Sequence, residues 1–234
     1  MSMPTLQPIV PELVCWSWMT QTGLDAAAVL PSSDGVTVHG RMQAQWDDGP
    51  LELAYRLDCG PRWAFRQLRA CTVYLGRTRT LSLWRDDEGW HDAAGRREDL
   101  AAARFIDIMA TPITNTLPVA EEEWSAGVGR EFTMAYVRLP ELQVRPVRQR
   151  YTLLANDADG TRRFRYETLG GTASDGQAGA GQGSGAAAAA AEYHDQDSGF
   201  SAEIVVDANG LVLYYPPYWR RMPAAQALAM QAAR

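Results

Sequence analysis

One stretch of the sequence, from Val36 to Trp46, alternates strictly between apolar and polar residues: Val-Thr-Val-His-Gly-Arg-Met-Gln-Ala-Gln-Trp. Successive side chains of a β-strand point to opposite faces. One face of this strand would carry Val36, Val38, Met42, Ala44 and Trp46. The other would carry Thr37, His39, Arg41, Gln43 and Gln45. The pattern therefore predicts a strand with one dry face and one wet face.

A turn and a second alternating segment follow directly. Asp47-Asp-Gly-Pro50 contains residues that favour tight reversals, and the chain from Leu51 to Asp58 alternates again. These two segments predict a hairpin. Similar turn sequences, which repeat between β-rich segments, occupy residues 33–35, 87–89, 159–160 and 207–210.

Further segments with strand character are spread along the whole chain. They occupy residues 12–20, 62–75, 80–85, 105–108, 131–139, 147–155, 162–168, 200–206 and 211–215. So many strands exceed what one flat sheet carries, so the sheet is expected to curl. The predicted fold class is all-β and mainly antiparallel: a curled sheet, a spiral β-roll or a partly open barrel. Helix is predicted only as a turn at 98–104 and a terminal segment at 224–233.

The domain organisation follows from length and local composition. A chain of 234 residues suits one β-roll domain, which we place at 1–234. Residues 170–191 consist almost entirely of Gly, Ala, Ser and Gln and bury too little apolar surface to fold. They predict a disordered loop inserted between two strands.

Charge and composition exclude several classes of partner. The formal net charge is −6, and no cluster of basic residues compensates for it, so a nucleic-acid partner is not expected. No apolar window is long enough for a transmembrane helix and no signal peptide is recognisable, which predicts a cytoplasmic protein. Cys15, Cys59 and Cys71 are odd in number and predict reduced packing residues.

Motifs for catalysis, metals and cofactors are missing. The sequence contains no P-loop, GxSxG or HExxH motif, and the GxGxxA pattern at 181–186 lies in the low-complexity segment without a βαβ unit. His39, His91 and His194 lack the spacing of a metal site. No cofactor and no metal are therefore predicted.

Two segments combine polar and apolar groups in an uncommon way. In Asp107-Ile-Met-Ala-Thr-Pro-Ile-Thr-Asn-Thr-Leu-Pro118, two prolines are expected to keep the backbone extended while Thr and Asn offer hydrogen bonds. The segment would meet a ligand with hydroxyls and acyl chains, or form a corner in which Asn115 bonds the backbone. Residues 211–221 place aromatic rings beside Arg220 and Arg221, which suits a cavity mouth or a core aromatic cluster.

Several short motifs carry a resemblance to a known family. They are Phe105-Ile-Asp107 through Pro118, Gln149-Arg-Tyr-Thr152, Phe164-Arg-Tyr166, Val206-Asp207 through Val212, Tyr215-Pro216 and Trp219, with Gly40, Tyr55-Arg-Leu-Asp58 and Trp63 in the first half. In their order and spacing they resemble the bacterial putative glycolipid-binding family between Val14 and Arg221. One departure is the acidic run at 121–123, where the family is usually basic.

The resemblance implies a spiral β-roll with an internal apolar cavity, similar in shape to periplasmic lipoprotein carriers. It also implies an amphipathic small-molecule partner of the glycolipid type. The matching positions, which we take as candidate ligand-binding residues, are Asp107, Thr111, Asn115, Tyr151 and Trp219.

Three functions are compatible with the sequence. The first is non-enzymatic binding of a glycolipid-like or other amphipathic lipid in an internal apolar cavity. The second is a hydrolase or isomerase acting on a lipid or sugar derivative, with Asp107 or Asp58 as acid or base. The third is an interaction module without a ligand, for which a packed interior is expected instead of a void above roughly 300 Å³.

Overall fold

The structure is a computed structural model that describes residues 11–169 and 199–223. The described residues form one fifteen-stranded sheet. Its strands are β1 Glu12–Trp18, β2 Gly23–Ser32, β3 Gly35–Trp46, β4 Gly49–Cys59, β5 Phe65–Tyr74, β6 Arg77–Asp86, β7 Gly89–Asp92, β8 Gly95–Arg96, β9 Ala103–Ile108, β10 Gly129–Arg138, β11 Gln143–Asn156, β12 Arg162–Leu169, β13 Ser201–Val206, β14 Val212–Tyr215 and β15 Trp219–Arg221.

The topology is a meander with one exception. Neighbouring strands follow the order β8-β7-β6-β5-β4-β3-β2-β1-β15-β14-β13-β12-β11-β10-β9. Every pair is antiparallel except β9 and β10, which run parallel. The predicted all-β, mainly antiparallel fold is confirmed. The strands β3 and β4 form the predicted hairpin, in which Val38 is directly opposite Leu57. The sheet is open, because its outer strands β8 and β9 do not pair with each other.

Parallel pairing requires a crossover connection, and this connection contains the α-helix of the described chain. A 3₁₀ helix at Pro112–Asn115 runs directly into α1, Thr116–Glu121. The expectation of an extended backbone here was wrong. Pro112 is the first residue of the 3₁₀ helix, and Pro118 lies in the first turn of α1. Backbone N–H groups in the first turn of a helix make no intrahelical hydrogen bond, so proline is tolerated there.

Side chains bring the two ends of the open sheet together. The indole of Trp90 on β7 donates to the carbonyl of Ala103 on β9 at 2.8 Å. Thr72 on β5 donates to the carbonyl of Pro140 at 2.8 Å, and Arg97 donates to that of Val144 at 2.8 Å. These long-range contacts show that the sheet is curled.

The predicted dry face of β3 is confirmed. Val38 and Met42 are fully buried, whereas His39 and Arg41 on the other face are exposed. The predicted helical turn at 98–104 is shorter than expected, since a 3₁₀ helix ends at Leu100 and β9 begins at Ala103. A further 3₁₀ helix covers Pro61–Trp63. The predicted loop at 170–191 and helix at 224–233 lie outside the described residues.

Tyr55 and Gly40 make a close contact on the dry face. They are directly opposite each other on β4 and β3, and the phenol ring lies over the glycine backbone. A Cβ atom at Gly40 would come within 1.8 Å of the ring. The missing side chain therefore lets Tyr55 reach across β3 towards Asp25 on β2, to which its hydroxyl donates at 3.2 Å.

We predict that Gly40→Ala destabilises the protein by about 1–3 kcal/mol or more, because the added methyl group displaces a buried ring. Urea denaturation measures this change. Gly49→Ala is the control, since its Cβ would meet only the flexible end of Leu75, at 3.2 Å. Equal stability of the two variants would contradict the packing described for Tyr55.

Candidate ligand-binding groove

A groove of about 890 Å³ lies across the strands of the first half of the sheet. Two neighbouring rows of residues, each at directly opposed positions on β1 to β6, form most of its lining. The first row is Leu13, Ala28, His39, Arg56, Arg69 and Ser82. The second row is Cys15, Ala26, Arg41, Ala54, Cys71 and Thr80.

Small side chains explain why the groove has depth. Ala26, Ala54 and Cys71 all lie in the second row and project little above the backbone. Longer side chains in the first row, among them Arg56 and Arg69, rise beside them. A row in which most residues are small, beside a row of longer ones, leaves a channel that runs across the strands.

The groove extends across many strands of the sheet. Its lining includes Leu13 on β1 and Ala93, which follows β7, and six strand-to-strand steps separate β1 from β7.

The two ends of the groove differ in polarity. At the end formed by β1 and β2, the lining is apolar and includes Leu13, Leu24 and Ala28. From β3 to β6 the rows contain His39, the arginines and the hydroxyls of Thr80 and Ser82. This arrangement matches a molecule with an apolar part and a polar part.

Cationic groups dominate the polar end. Arg41, Arg56 and Arg69 line the groove, and none of its lining residues in the described chain is acidic. Asp58, two residues from Arg56, accepts hydrogen bonds from the Arg56 Nε at 2.9 Å and from Thr37 at 2.8 Å. Although partial burial opposes it, these bonds hold the pKa of Asp58 below its usual value.

Most of the predicted site residues lie elsewhere, in a buried polar cluster around the crossover. Asp107 on β9 accepts from the Thr114 hydroxyl at 2.9 Å and from the Gln149 amide at 2.6 Å. The Tyr151 hydroxyl donates to Asn115 at 2.9 Å. Burial raises the pKa of Asp107, and the two hydrogen bonds oppose that shift.

Thr111 links this cluster to the first half of the sheet. Its hydroxyl caps the 3₁₀ helix by accepting from the Ile113 amide at 3.4 Å, and it lies 3.4 Å from the Tyr55 hydroxyl. Tyr55 in turn donates to Asp25, whose side chain is fully buried. The crossover is thus held by polar contacts to β4 on one side and to β11 on the other.

Trp219 does not join this cluster. Its ring lies 4.7 Å from that of Trp18 on β1, in an aromatic group that includes Tyr218 and that only ring contacts connect to Tyr151. The indole N–H of Trp219 is buried and has no hydrogen-bond partner within 11–169 and 199–223. Four of the five predicted residues are therefore brought together and the fifth is apart.

None of the five predicted residues lines the groove, and their part in ligand binding stays a prediction. The groove was missed from the sequence because most of its lining residues lie on the face predicted to be wet. The available signal was the combination of small residues and arginines at alternating positions. Asp25 was also missed, since the segment Gly23–Ser32 was not recognised as a strand.

Two carboxylates of the acidic run at 121–123 pair with nearby arginines. Glu121 accepts from Arg104 at 2.9 Å, and Glu122 pairs with Arg104 and with Arg130, the latter at 2.7 Å. These carboxylates therefore hold α1 to neighbouring strands.

Two negative findings concern metals and membranes. Within the described chain, no three His, Cys, Asp or Glu side chains lie close enough to hold a metal ion. His39 lines the groove, His91 stacks on Trp84, and His194 is outside the described residues. Among the described helices, none has the length and apolar character needed to cross a membrane.

Comparisons with known proteins agree with this architecture. A family model described as "Putative glycolipid-binding" matches residues 13–175. Among solved structures, the chain is similar to the crystal structure of a DUF1089 family protein from Pseudomonas aeruginosa, with a TM-score of 0.63 and 27% sequence identity. The similarity covers 85% of this chain and 92% of that one. No curated protein matches the chain.

Asp25 gives a prediction for stability against pH. Burial raises the pKa of Asp25 to about 7, although hydrogen bonds with Thr111 and Tyr55 oppose the shift. The unfolded chain ionises this carboxyl near pH 4, whereas the folded chain keeps it protonated up to about pH 7. Its contribution to stability is therefore complete below pH 4 and is lost as the pH rises to 7.

We predict that Asp25→Asn, which cannot ionise, is more stable than the unchanged protein by about 2–4 kcal/mol at pH 8, with little difference at pH 4. Urea denaturation between pH 4 and pH 8 measures this. The control is Asp159→Asn. Hydrogen bonds from Thr161 lower the pKa of Asp159, so this substitution should change the free energy of unfolding by the same amount at every pH between 4 and 8. Parallel curves for Asp25→Asn and the unchanged protein would contradict the prediction.

Proposed function

Because the chain belongs to the putative glycolipid-binding family, we propose that it binds a glycolipid-like amphipathic molecule in the groove across β1 to β6. The observation that carries the proposal is the polarity gradient along the groove, from Leu13 and Leu24 to the arginines of β3 to β5. The apolar part of the ligand lies over β1 and β2, and the polar head lies over β3 to β6.

The size of the groove supports a small-molecule ligand. Its volume of about 890 Å³ lies within the range of about 300–1,000 Å³ that is typical of ligand sites. The family resemblance also implies an internal cavity, and that cavity stays a prediction.

Binding without catalysis is the simpler function for these residues. The two carboxyls considered as acid or base, Asp58 and Asp107, do not line the groove. Asp58 is kept charged by Arg56, and Asp107 already accepts hydrogen bonds from Thr114 and Gln149. Neither is placed to exchange a proton with a molecule in the groove.

We predict that Ala54→Phe weakens binding by about tenfold or more, because a phenyl ring at the middle of the second row fills the groove. The probe is a fluorescent, NBD-labelled galactosyl diacylglycerol with short acyl chains, titrated with delipidated protein. Thr78→Phe is the matched control, since it adds the same ring to an exposed position on β6 that does not line the groove. Equal affinity in both variants, or no binding by the unchanged protein, would contradict the proposed function.

A further inference from the structure

We infer that the ligand of the groove carries an anionic group, a phosphate, sulfate or carboxylate, held by Arg41, Arg56 and Arg69. This inference rests on the proposed function and adds the charge of the head group. The preferred ligand is then an acidic amphipath, which the groove should bind more tightly than a neutral glycolipid.

The strand register concentrates positive charge at one point of the sheet. Arg56 on β4 is directly opposite Arg69 on β5 and also directly opposite His39 on β3. Arg41 follows His39 by two residues and points to the same face, so it lies diagonal to Arg56. Directly opposed side chains have Cβ atoms about 5 Å apart and diagonal ones about 7–8 Å. The three arginines thus project from neighbouring positions on one face of the sheet, and the flexible side chains of Arg41 and Arg69 can turn towards an anion beside Arg56.

The arrangement is unfavourable without a counter-charge. Like charges at directly opposed positions destabilise a sheet. Asp58 bonds Arg56, and Glu52 lies diagonal to Arg41 on β4, so two carboxylates face three arginines and His39. Within the described part of the chain, Arg41 and Arg69 form no hydrogen bond or ion pair, although the charge of Arg69 helps to lower the pKa of Asp58. A net positive groove on a chain of net charge −6 is what an anionic ligand would complement.

The chemistry of the guanidinium group fits an oxyanion. It is planar and permanently charged, and it binds phosphate, sulfate or carboxylate oxygens through two parallel N–H groups. Asp58 orients Arg56 by accepting from its Nε and Nη2. The hydroxyls of Thr80 and Ser82 lie on the next strand of the same rows and can donate to the same head group.

The apolar end of the groove distinguishes an amphipath from a free anion. A site for inorganic phosphate would have no use for the lining of Leu13, Leu24 and the alanines of β2. Because this lining continues the same rows that contain the arginines, one molecule with a charged head and an apolar tail occupies both parts.

The test compares two NBD-labelled lipids with identical short acyl chains, phosphatidic acid and diacylglycerol, which differ only in the phosphate. We expect phosphatidic acid to bind about tenfold tighter or more at low ionic strength, and the difference to shrink at high salt. In Arg41→Gln/Arg69→Gln, phosphatidic acid should bind no better than diacylglycerol. Arg163→Gln is the control, since it removes an exposed arginine of β12 outside the groove and should leave both affinities unchanged.

Each alternative outcome has a distinct meaning. Equal binding of the two lipids and of galactosyl diacylglycerol, with no effect of the double substitution, would overturn the anionic head group while leaving the proposed function in place. Binding of inorganic phosphate alone as tightly as phosphatidic acid would overturn the assignment of an amphipath. Failure of all the lipids to bind would overturn both proposals.

Discussion

The register of the strands β1 to β6 is the constraint on which the rest of the structure depends. Since side chains alternate between faces, a slip of one residue would exchange the two faces of a strand. The observed register buries Val38, Met42 and Tyr55 together and aligns His39, Arg56 and Arg69 in one row on the other face. The burial of the apolar face therefore also fixes the positions of the arginines.

The crossover between β9 and β10 is buried against both halves of the curled sheet. Residues 111–119 are all buried. Within this segment, Thr111 contacts Tyr55 of one half of the sheet and Asn115 accepts from Tyr151 of the other. A buried polar network of this kind favours a single arrangement, because the loss of one partner would leave a buried polar group without a hydrogen bond. Its role in this structure is to fix the position of the crossover, and the groove is on the opposite face of the sheet.

Much of the fold was predictable because alternation is a local signal. The hairpin of β3 and β4 follows from the sequence 36–58, and the turns at Asp34-Gly35 and Asp48-Gly49 are at the predicted positions. The strand β2 was missed because Leu24-Asp-Ala-Ala-Ala28 lacks the β-branched and aromatic residues that mark strands. The parallel pairing of β9 and β10 could not be predicted, because it depends on contacts between distant segments.

The candidate site was less predictable than the fold for the same reason. Of the five candidate residues, Asp107, Thr111, Asn115 and Tyr151 are close in space, whereas Trp219 lies beside Trp18. The groove requires the relative register of six strands, which no single segment encodes. A crystal structure with short-chain phosphatidic acid tests the account most directly. We predict that the phosphate lies beside Arg41 and Arg69 with the acyl chains over β1 and β2, whereas a ligand bound against Asn115 and Tyr151 would contradict the proposed binding site.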